Sequence, residues 1–376
     1  MNWSNWIEQW GEPTVMALGG LVAGLGFGFF AQRSRFCLRA AVIEFWHGRF
    51  GEKLAVWLLA FSAAVVVVQW LIVSGGLNIS TARQISATGS LSGALVGGLV
   101  FGVGMVMTRG CASRLLVLSA NGNLRALLSG LVFAVTAQAS LAGALAPLRL
   151  EISSWWLVDG GPARNLLSHL GAGPMDGLVF GAVWLVTALF FAYYSGWSFW
   201  KWVGGLGTGL MVALAWWITY QVMSHSFEPI QIQGLTFSGP SSEWLMRVLS
   251  EPEEPWTFGL GLMPGVFIGS LVGALVGRDW KLEGFGPGYS MPRYILGAMF
   301  MGFGSMLAGG CAVGAGMTGG AVFALTAWVT LGGMWVGGGL TDRLLDGGAA
   351  RAAAPVPVLS PQAPNTVQVS PGNNPA

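Results

Sequence analysis

Charged residues are scarce in this sequence: only 9% of its 376 positions are charged, whereas 53% are hydrophobic. In soluble globular domains roughly a quarter of the residues are charged, so this composition excludes an ordinary soluble protein. It predicts an integral membrane protein, for which the lipid bilayer is the surrounding solvent. The formal net charge of +2 is too small to indicate a nucleic-acid partner.

Residues that bind metals or act as nucleophiles are also few, since the chain has only three cysteines and three histidines. No Cys-x-x-Cys or Cys/His spacing indicates zinc or an iron–sulfur cluster, and three cysteines cannot all pair within one chain. The sequence also lacks a nucleophile elbow, an HExxH motif and a phosphate-binding loop. We therefore expect no metal, no cofactor and no catalytic residue, and a membrane transporter rather than an enzyme.

Nine apolar stretches are long enough, or nearly so, to cross a hydrocarbon core that is ~30 Å thick. None of them contains a charged residue or a histidine. Backbone groups in hydrocarbon must be bonded internally, so we expect an all-α integral membrane protein with about nine transmembrane helices. A proton-coupled carrier would need an intramembrane carboxylate, so it has little support. The stretches are about 14–31, 54–73, 91–107, 126–146, 177–194, 203–223, 257–277, 294–309 and 319–340.

The distribution of the 18 Lys and Arg residues predicts the orientation, because most of them fall on one side if the N-terminus lies outside. This positive-inside bias is typical of a multi-pass protein of the bacterial cytoplasmic (inner) membrane with a cytoplasmic C-terminus. We expect a single membrane domain over residues 1–346. The tail 347–376 is rich in Pro and Ala, and we expect it to be disordered.

A repeat at an offset of 200 residues predicts two related halves, about 14–146 and 177–341. Segment 91–107 would run inward and segment 294–309 outward. The repeats are therefore expected to be inverted around a central path, as in many transporters. The matching residues are Gly97, Gly102, Gly104, Gly110, Cys111 and Ala112 with Gly297, Gly302, Gly304, Gly310, Cys311 and Ala312.

The three cysteines, Cys37, Cys111 and Cys311, each follow a glycine-rich apolar segment. The stretch after each is too short to cross a bilayer, so we expect re-entrant half-helices whose free N-terminal amides favour an anion. A thiol at each break suggests a path for a substrate that interacts with sulfur. The alternative is that these cysteines are small buried hydrophobic residues. The three stretches are Leu38 to Trp46, Ala112 to Ala120 and Ala312 to Thr318.

Residues next to the breaks complete the candidate substrate-binding set. Gly110 and Gly310 directly precede two of the cysteines and would expose the backbone there. The basic residues near the breaks are either topology signals or an electropositive funnel for an anion. Arg109, two residues before Cys111, is the best candidate for the second role. The other basic residues near the breaks are Arg33, Arg35, Arg39 and Arg114.

The cysteine segments resemble the YeeE/YedE family of sulfur-compound transporters. The matching stretches are SRFCLRA at 34–40, TRGCAS at 108–113 and AGGCAVGAG at 308–316, and the likeness extends from about residue 14 to 341. The resemblance implies a membrane protein with two related helical halves and a narrow central path that passes thiosulfate. The family's three cysteines support substrate passage, and that role carries over to Cys37, Cys111 and Cys311.

The resemblance also implies a possible cytoplasmic partner, a small TusA-like sulfur-carrier protein, and some members of the family are linked to selenium metabolism instead. Uptake of thiosulfate or a similar small sulfur anion is therefore the leading hypothesis. The weak S–H donors of the three thiols would hold the anion loosely enough to release it. The alternatives are a sulfurtransferase that relays sulfur through a cysteine persulfide, and a carrier of selenium compounds or another small anion.

Overall fold

The computed structural model describes residues 3–194, 198–226, 230–250, 253, 255–285 and 291–346. The predicted disordered tail lies outside these residues. The described chain is mainly helical, and one two-stranded antiparallel sheet joins β1 (Gly89–Ser90) to β2 (Leu157–Val158). The domain boundaries predicted from the sequence stay a prediction.

The helices fall into a long class that crosses the molecule and a short class that connects or caps it. The long helices are α2 (Glu12–Ser34), α4 (Glu52–Val73), α6 (Leu91–Met107), α8 (Leu124–Ala142), α11 (Pro174–Tyr194), α12 (Phe199–His225), α14 (Phe258–Gly277), α15 (Met291–Leu307) and α16 (Leu325–Leu345). The short helices are α1 (Trp3–Trp10), α3 (Leu38–Trp46), α5 (Arg83–Ser86), α7 (Ala112–Ala120), α9 (Ala146–Ser154), α10 (Leu166–His169), α13 (Ser238–Leu249), a 3₁₀ turn (Gly161–Arg164) and a π helix (Ala312–Gly319).

Among the described residues, eight helical segments are long and apolar enough to cross a membrane. This finding confirms the all-α membrane fold class. Three of the segments are broken helices: α2 continues into α3, α6 into α7, and α15 into the π helix. The ninth predicted span, 319–340, overlaps α16, which begins six residues later at Leu325 and runs parallel to α6. Its many glycines and the charged residues Asp342 and Arg343 lower its hydropathy, so it is not among the eight.

The crossing of α6 and α15 has the contacts expected of a two-fold axis between the halves. A Cβ atom on Gly104 would lie 2.5 Å from the carbonyl oxygen of Gly297, and one on Gly304 would lie 2.7 Å from the carbonyl oxygen of Gly97. The two contacts interchange when 200 is added to or subtracted from each residue number. Since the earlier residue of α6 meets the later residue of α15, the helices are antiparallel. Glycines let the two backbones touch directly.

The same relation extends to the other helices of the two halves. Helix α3 packs against α4 and α16, and α13 packs in the same way against α14 and α8. Helix α2 packs against α14, and α12 packs against α4. Helix α7 packs against α8 and α14, and the π helix packs against α16 and α4. The equivalent pairs are therefore α2/α12, α3/α13, α4/α14, α6/α15, α7/π helix and α8/α16.

An aromatic groove of about 430 Å³ lies between α4, α11 and α16. Its walls are almost wholly apolar and include Trp57, Trp184 and Trp335, and none of the three cysteines lines it. A surface of this kind matches the hydrocarbon of the bilayer rather than an anion. The groove is thus separate from the predicted path.

Candidate functional site: three cysteines at helix breaks

The chain has the same local structure at each cysteine. The residue two positions earlier has a left-handed backbone, with φ of 54° at Arg35, 59° at Arg109 and 76° at Gly309. The cysteine itself is extended, and a short helix begins at the next residue. A left-handed residue reverses the chain at the end of a helix. The three breaks predicted from glycine and cysteine spacing are therefore present in the fold.

Each cysteine occupies the N-cap position of its short helix without capping it through the side chain. The first helical bonds are accepted by the cysteine carbonyl groups, for example by Cys111 from Leu115 at 2.9 Å and by Cys311 from Ala315 at 2.8 Å. The backbone amides between the N-cap cysteine and the first residue that donates an intrahelical hydrogen bond have no partner within the helix. Such amides, together with the helix dipole, favour an anion at this end.

The structure brings Cys37 and Cys111 together. Their side chains lie close enough to interact electrostatically, and the Sγ atom of Cys111 lies 3.4 Å from the Oγ atom of Ser113. Cys111 is fully buried, whereas Cys37 is partly exposed. The contact joins two helix breaks that are 74 residues apart in the chain (111 − 37).

The charge of Arg39 acts on Cys37, and Arg114 is the basic side chain that faces both thiols of the pair. Its charge acts on both Cys37 and Cys111. The guanidinium is partly buried, and it donates one hydrogen bond of 3.4 Å to the Oε1 atom of Gln32. Among the ion pairs of the described residues, none involves Arg114. The site thus contains a positive charge that no carboxylate neutralises.

The other arginines near the breaks have different surroundings. Arg33 and Arg35 lie 3.9 Å and 3.8 Å from Asp279, and Arg39 lies 4.0 Å from Asp346. Aspartates therefore balance part of the basic charge that the sequence places there.

Asp346 also accepts two hydrogen bonds from Arg293, at 3.0 Å and 3.1 Å. Although burial opposes ionisation, these bonds lower the pKa of the Asp346 carboxyl below its usual value. The pair fixes the start of α15 to the end of α16.

Arg109, the arginine favoured by the sequence, is exposed, and its left-handed backbone ends α6. Gly110 and Gly310 are buried directly before their cysteines. A Cβ atom on Gly310 would lie 2.9 Å from the amide nitrogen of Ala315, so the tight turn there requires glycine. Sequence reasoning ranked Arg109 above Arg114, although the three-residue spacing from Cys111 to Arg114 predicts a shared helix face.

Cys311 lies in the other half, where its side chain is 1% exposed. An extended segment before α13 covers the π helix that follows this cysteine: the Thr318 hydroxyl donates a 2.6 Å hydrogen bond to the carbonyl oxygen of Leu235. Trp216 donates through Nε1 to the carbonyl oxygen of Thr318 at 3.4 Å. Non-helical backbone at membrane depth occurs where protein or a water-filled cavity surrounds it.

Comparisons with known proteins agree with this architecture. A family described as "Sulphur transport" matches residues 33–340, a span that contains all three cysteines. A thiosulfate transporter TsuA from Spirochaeta thermophila is 28% identical over 339 residues, covering 82% of this chain and 93% of that protein. A thiosulfate transporter TsuA from Escherichia coli is 24% identical over 336 residues, covering 84% of this chain and 91% of that protein. The chain is therefore a membrane transporter that belongs to the YeeE/YedE family of sulphur-transport proteins.

Proposed function

We propose that the protein carries thiosulfate, or a closely similar sulfur anion, inward across the cytoplasmic membrane along a path lined by Cys37, Cys111 and Cys311. One observation carries the proposal: two of these thiols meet at helix N-termini beside the unneutralised guanidinium of Arg114. The names of the two relatives support thiosulfate as the substrate.

The chemistry of thiosulfate matches this arrangement at both of its ends. The thiols are weak S–H donors that suit a soft terminal sulfur. The free helix amides and Arg114 are stronger donors that suit the charged oxygen atoms. A path must bind its substrate well enough to admit it and loosely enough to release it. Weak thiol donors in series meet that requirement.

The test is the initial rate of ³⁵S-thiosulfate uptake into proteoliposomes by Cys37→Ala, Cys111→Ala and Cys311→Ala variants. A hydrogen bond to a charged group contributes roughly 1.5–3 kcal/mol, so we expect each rate to fall at least about tenfold. Ser62→Ala is the matched control, because Ser62 is as buried as Cys111 and Cys311 and its hydroxyl bonds the backbone of its own helix. Wild-type rates in all three cysteine variants would rule out a thiol-lined path.

A sulfurtransferase is the second candidate, and the contact between Cys37 and Cys111 is what favours it. In that reaction a thiolate attacks the terminal sulfur, the S–S bond of thiosulfate breaks, and sulfite leaves with the electron pair. The cysteine keeps one sulfur as a persulfide. Mass spectrometry of protein incubated with thiosulfate separates the two functions: an added mass of one sulfur atom on a cysteine indicates the relay, and transport by unmodified protein indicates simple passage.

The substrate range is tested by competition. We expect unlabelled thiosulfate to block uptake of labelled thiosulfate. Sulfate and nitrite at the same concentration should leave most of that uptake intact. Selenite tests the selenium alternative. If all four anions compete equally, the path does not recognise sulfur, and the protein is a general carrier of small anions.

Orientation and partner also belong to the proposal. We place the N-terminus outside, the C-terminus in the cytoplasm, and Cys37 and Cys111 nearer the cytoplasm. A reporter enzyme that is active only on the outer side of the membrane should then be inactive when it is fused after residue 346.

A small TusA-like carrier is the proposed recipient of the sulfur compound, and exposed Arg35 and Arg109 offer it a basic surface at the cytoplasmic end. Co-elution with the detergent-solubilised transporter tests this binding.

A further inference from the structure

The two-fold relation assigns a counterpart to Cys37, for which the second half offers no cysteine. Helix α3 begins after Cys37, and its equivalent, α13, begins at Ser238. The dipeptide Phe36-Cys37 recurs as Phe237-Ser238, 201 residues later (238 − 37), close to the 200 that separates Cys111 from Cys311. The N-cap of α13, and the residue 200 positions after Cys37 (237 − 37), is Phe237; Ser238 is the next residue, and aligning Phe36-Cys37 with Phe237-Ser238 places its hydroxyl opposite the thiol.

Packing at the centre of the molecule supports this equivalence. The ring of Phe27 lies 6.3 Å from that of Phe36 and 5.3 Å from that of Phe237. All three rings are almost fully buried. The residues before Cys37 and before Ser238 thus pack against the same side chain. Ser238 is itself 4% exposed, so its hydroxyl lies in the interior as the thiols do.

Two successive contacts connect Ser238 to the π helix that follows Cys311. Its Oγ atom lies 3.4 Å from the Oγ1 atom of Thr236. Thr236 packs against Gly314, where a Cβ atom would come within 2.4 Å of that same Oγ1. Gly314 is three residues after Cys311, and Arg114 is three residues after Cys111. The second half therefore places hydroxyl groups where the first half places a guanidinium.

We propose that Ser238 and Thr236 form, together with Cys311, a second anion-binding position, which holds the oxygen atoms of the transported sulfur anion through hydroxyl donors. The inference rests on the proposed function and extends it from a row of thiols to two unequal half-sites. One half-site offers two thiols and a cation, and the other offers one thiol and two hydroxyls. Hydroxyl groups donate more strongly to oxygen than thiols do.

The unequal charge has a consequence for movement of the substrate. An anion is bound more tightly beside Arg114 than beside neutral hydroxyls, because the full positive charge of the guanidinium adds Coulombic attraction to its hydrogen bonds, whereas a hydroxyl offers only a dipole. The hydroxyl half-site is therefore the low-affinity position and the Arg114 half-site the high-affinity one. An anion that enters at Cys311 passes from the weaker position to the stronger.

The experiment uses the full-length protein in proteoliposomes and compares Ser238→Ala, Ser238→Cys and Ser242→Ala. Loss of one donor to a charged substrate should lower thiosulfate uptake by Ser238→Ala about tenfold. Ser238→Cys recreates the thiol of the first half and should stay within about threefold of wild type, given that a weak donor replaces a stronger one. Ser242 is the matched control, since it is buried on the same helix and bonds the carbonyl oxygen of Gly239.

A second measurement does not depend on Ser238→Ala folding. The Ser238→Cys variant is treated with a small maleimide with and without thiosulfate, and peptide mass spectrometry follows position 238. We expect thiosulfate to slow its alkylation, and sulfate to have little effect. Equal alkylation with and without thiosulfate would overturn the proposal, as would wild-type uptake by Ser238→Ala.

These outcomes are distinct from failure of the proposed function. If wild-type protein does not take up thiosulfate, or if all three cysteine variants transport normally, the thiol-lined path itself is wrong. If wild type transports, Cys311→Ala does not, and Ser238→Ala remains unimpaired, then only the hydroxyl half-site is wrong.

Discussion

Replacing Arg114 by methionine should remove most thiosulfate transport and leave the protein folded. Arg114 is the basic side chain next to both Cys37 and Cys111, and its hydrogen bond to Gln32 is long at 3.4 Å. Loss of a charged donor to an anion costs roughly 1.5–3 kcal/mol, so we expect uptake to fall about 10–100-fold. The measurement is initial ³⁵S-thiosulfate uptake at matched protein incorporation.

The melting temperature in detergent distinguishes this role from a structural one. Replacing a poorly paired interior charge by an apolar side chain of similar length is often neutral or stabilising. Arg114→Met should therefore melt at or above the wild-type temperature although it does not transport. Arg114→Lys keeps the charge but not the planar fork, and should recover part of the rate.

Arg49→Met is the control for a general effect of basic residues, because Arg49 is exposed in the loop between α3 and α4. It should transport as wild type does. Transport by Arg114→Met above half of the wild-type rate would remove Arg114 from the path.

Replacing Gly104 by alanine should produce a large loss of stability. The added Cβ atom would lie 2.5 Å from the carbonyl oxygen of Gly297 and 2.7 Å from the amide nitrogen of Met301. Both of these atoms belong to the backbone of α15, so neither can rotate away. Overpacking in a close interior costs about 1–3 kcal/mol or more, and we expect a clear fall in the melting temperature and in the yield of monodisperse protein.

Two further glycine variants serve as comparisons for this prediction: one is the symmetry equivalent of Gly104, and the other has open space around the added atom. Gly304→Ala meets the equivalent contact with Gly97 and should cost about as much as Gly104→Ala. Gly130→Ala has no neighbour within 4 Å of the added atom, and alanine in a helix is more favourable than glycine by about 0.5–1 kcal/mol. Gly130→Ala should therefore be neutral or stabilising. An equal response of Gly104→Ala and Gly130→Ala would contradict the backbone contact.

The sequence predicts the positions of the helix breaks closely. The short stretches after the three cysteines were predicted as Leu38 to Trp46, Ala112 to Ala120 and Ala312 to Thr318. The structure has helices at Leu38–Trp46, Ala112–Ala120 and Ala312–Gly319. Hydropathy and glycine content are local properties, and they are sufficient to find where a membrane helix stops. The family assignment, made on the same three segments, is confirmed by the match over residues 33–340.

Contacts between distant parts of the chain could not be predicted in the same way. The meeting of Cys37 with Cys111 depends on how α2, α7 and α14 pack, and nothing in the two local segments encodes it. The sequence prediction favoured Arg109 over Arg114, which shows that closeness to a cysteine in sequence does not ensure contact with its thiol. A residue two positions before the cysteine is close in sequence, but the left-handed backbone at Arg109 turns the chain there. The sequence could not predict the half-site proposed at Ser238, because no cysteine marks it.

The glycine contacts at the crossing of α6 and α15 also limit how the two halves can move. Where backbone rests on backbone, a shift of one helix along the other by a single residue, about 1.5 Å, would bring bulky neighbours such as Phe101 into the opposing chain. Large rocking of the halves is therefore resisted at the centre.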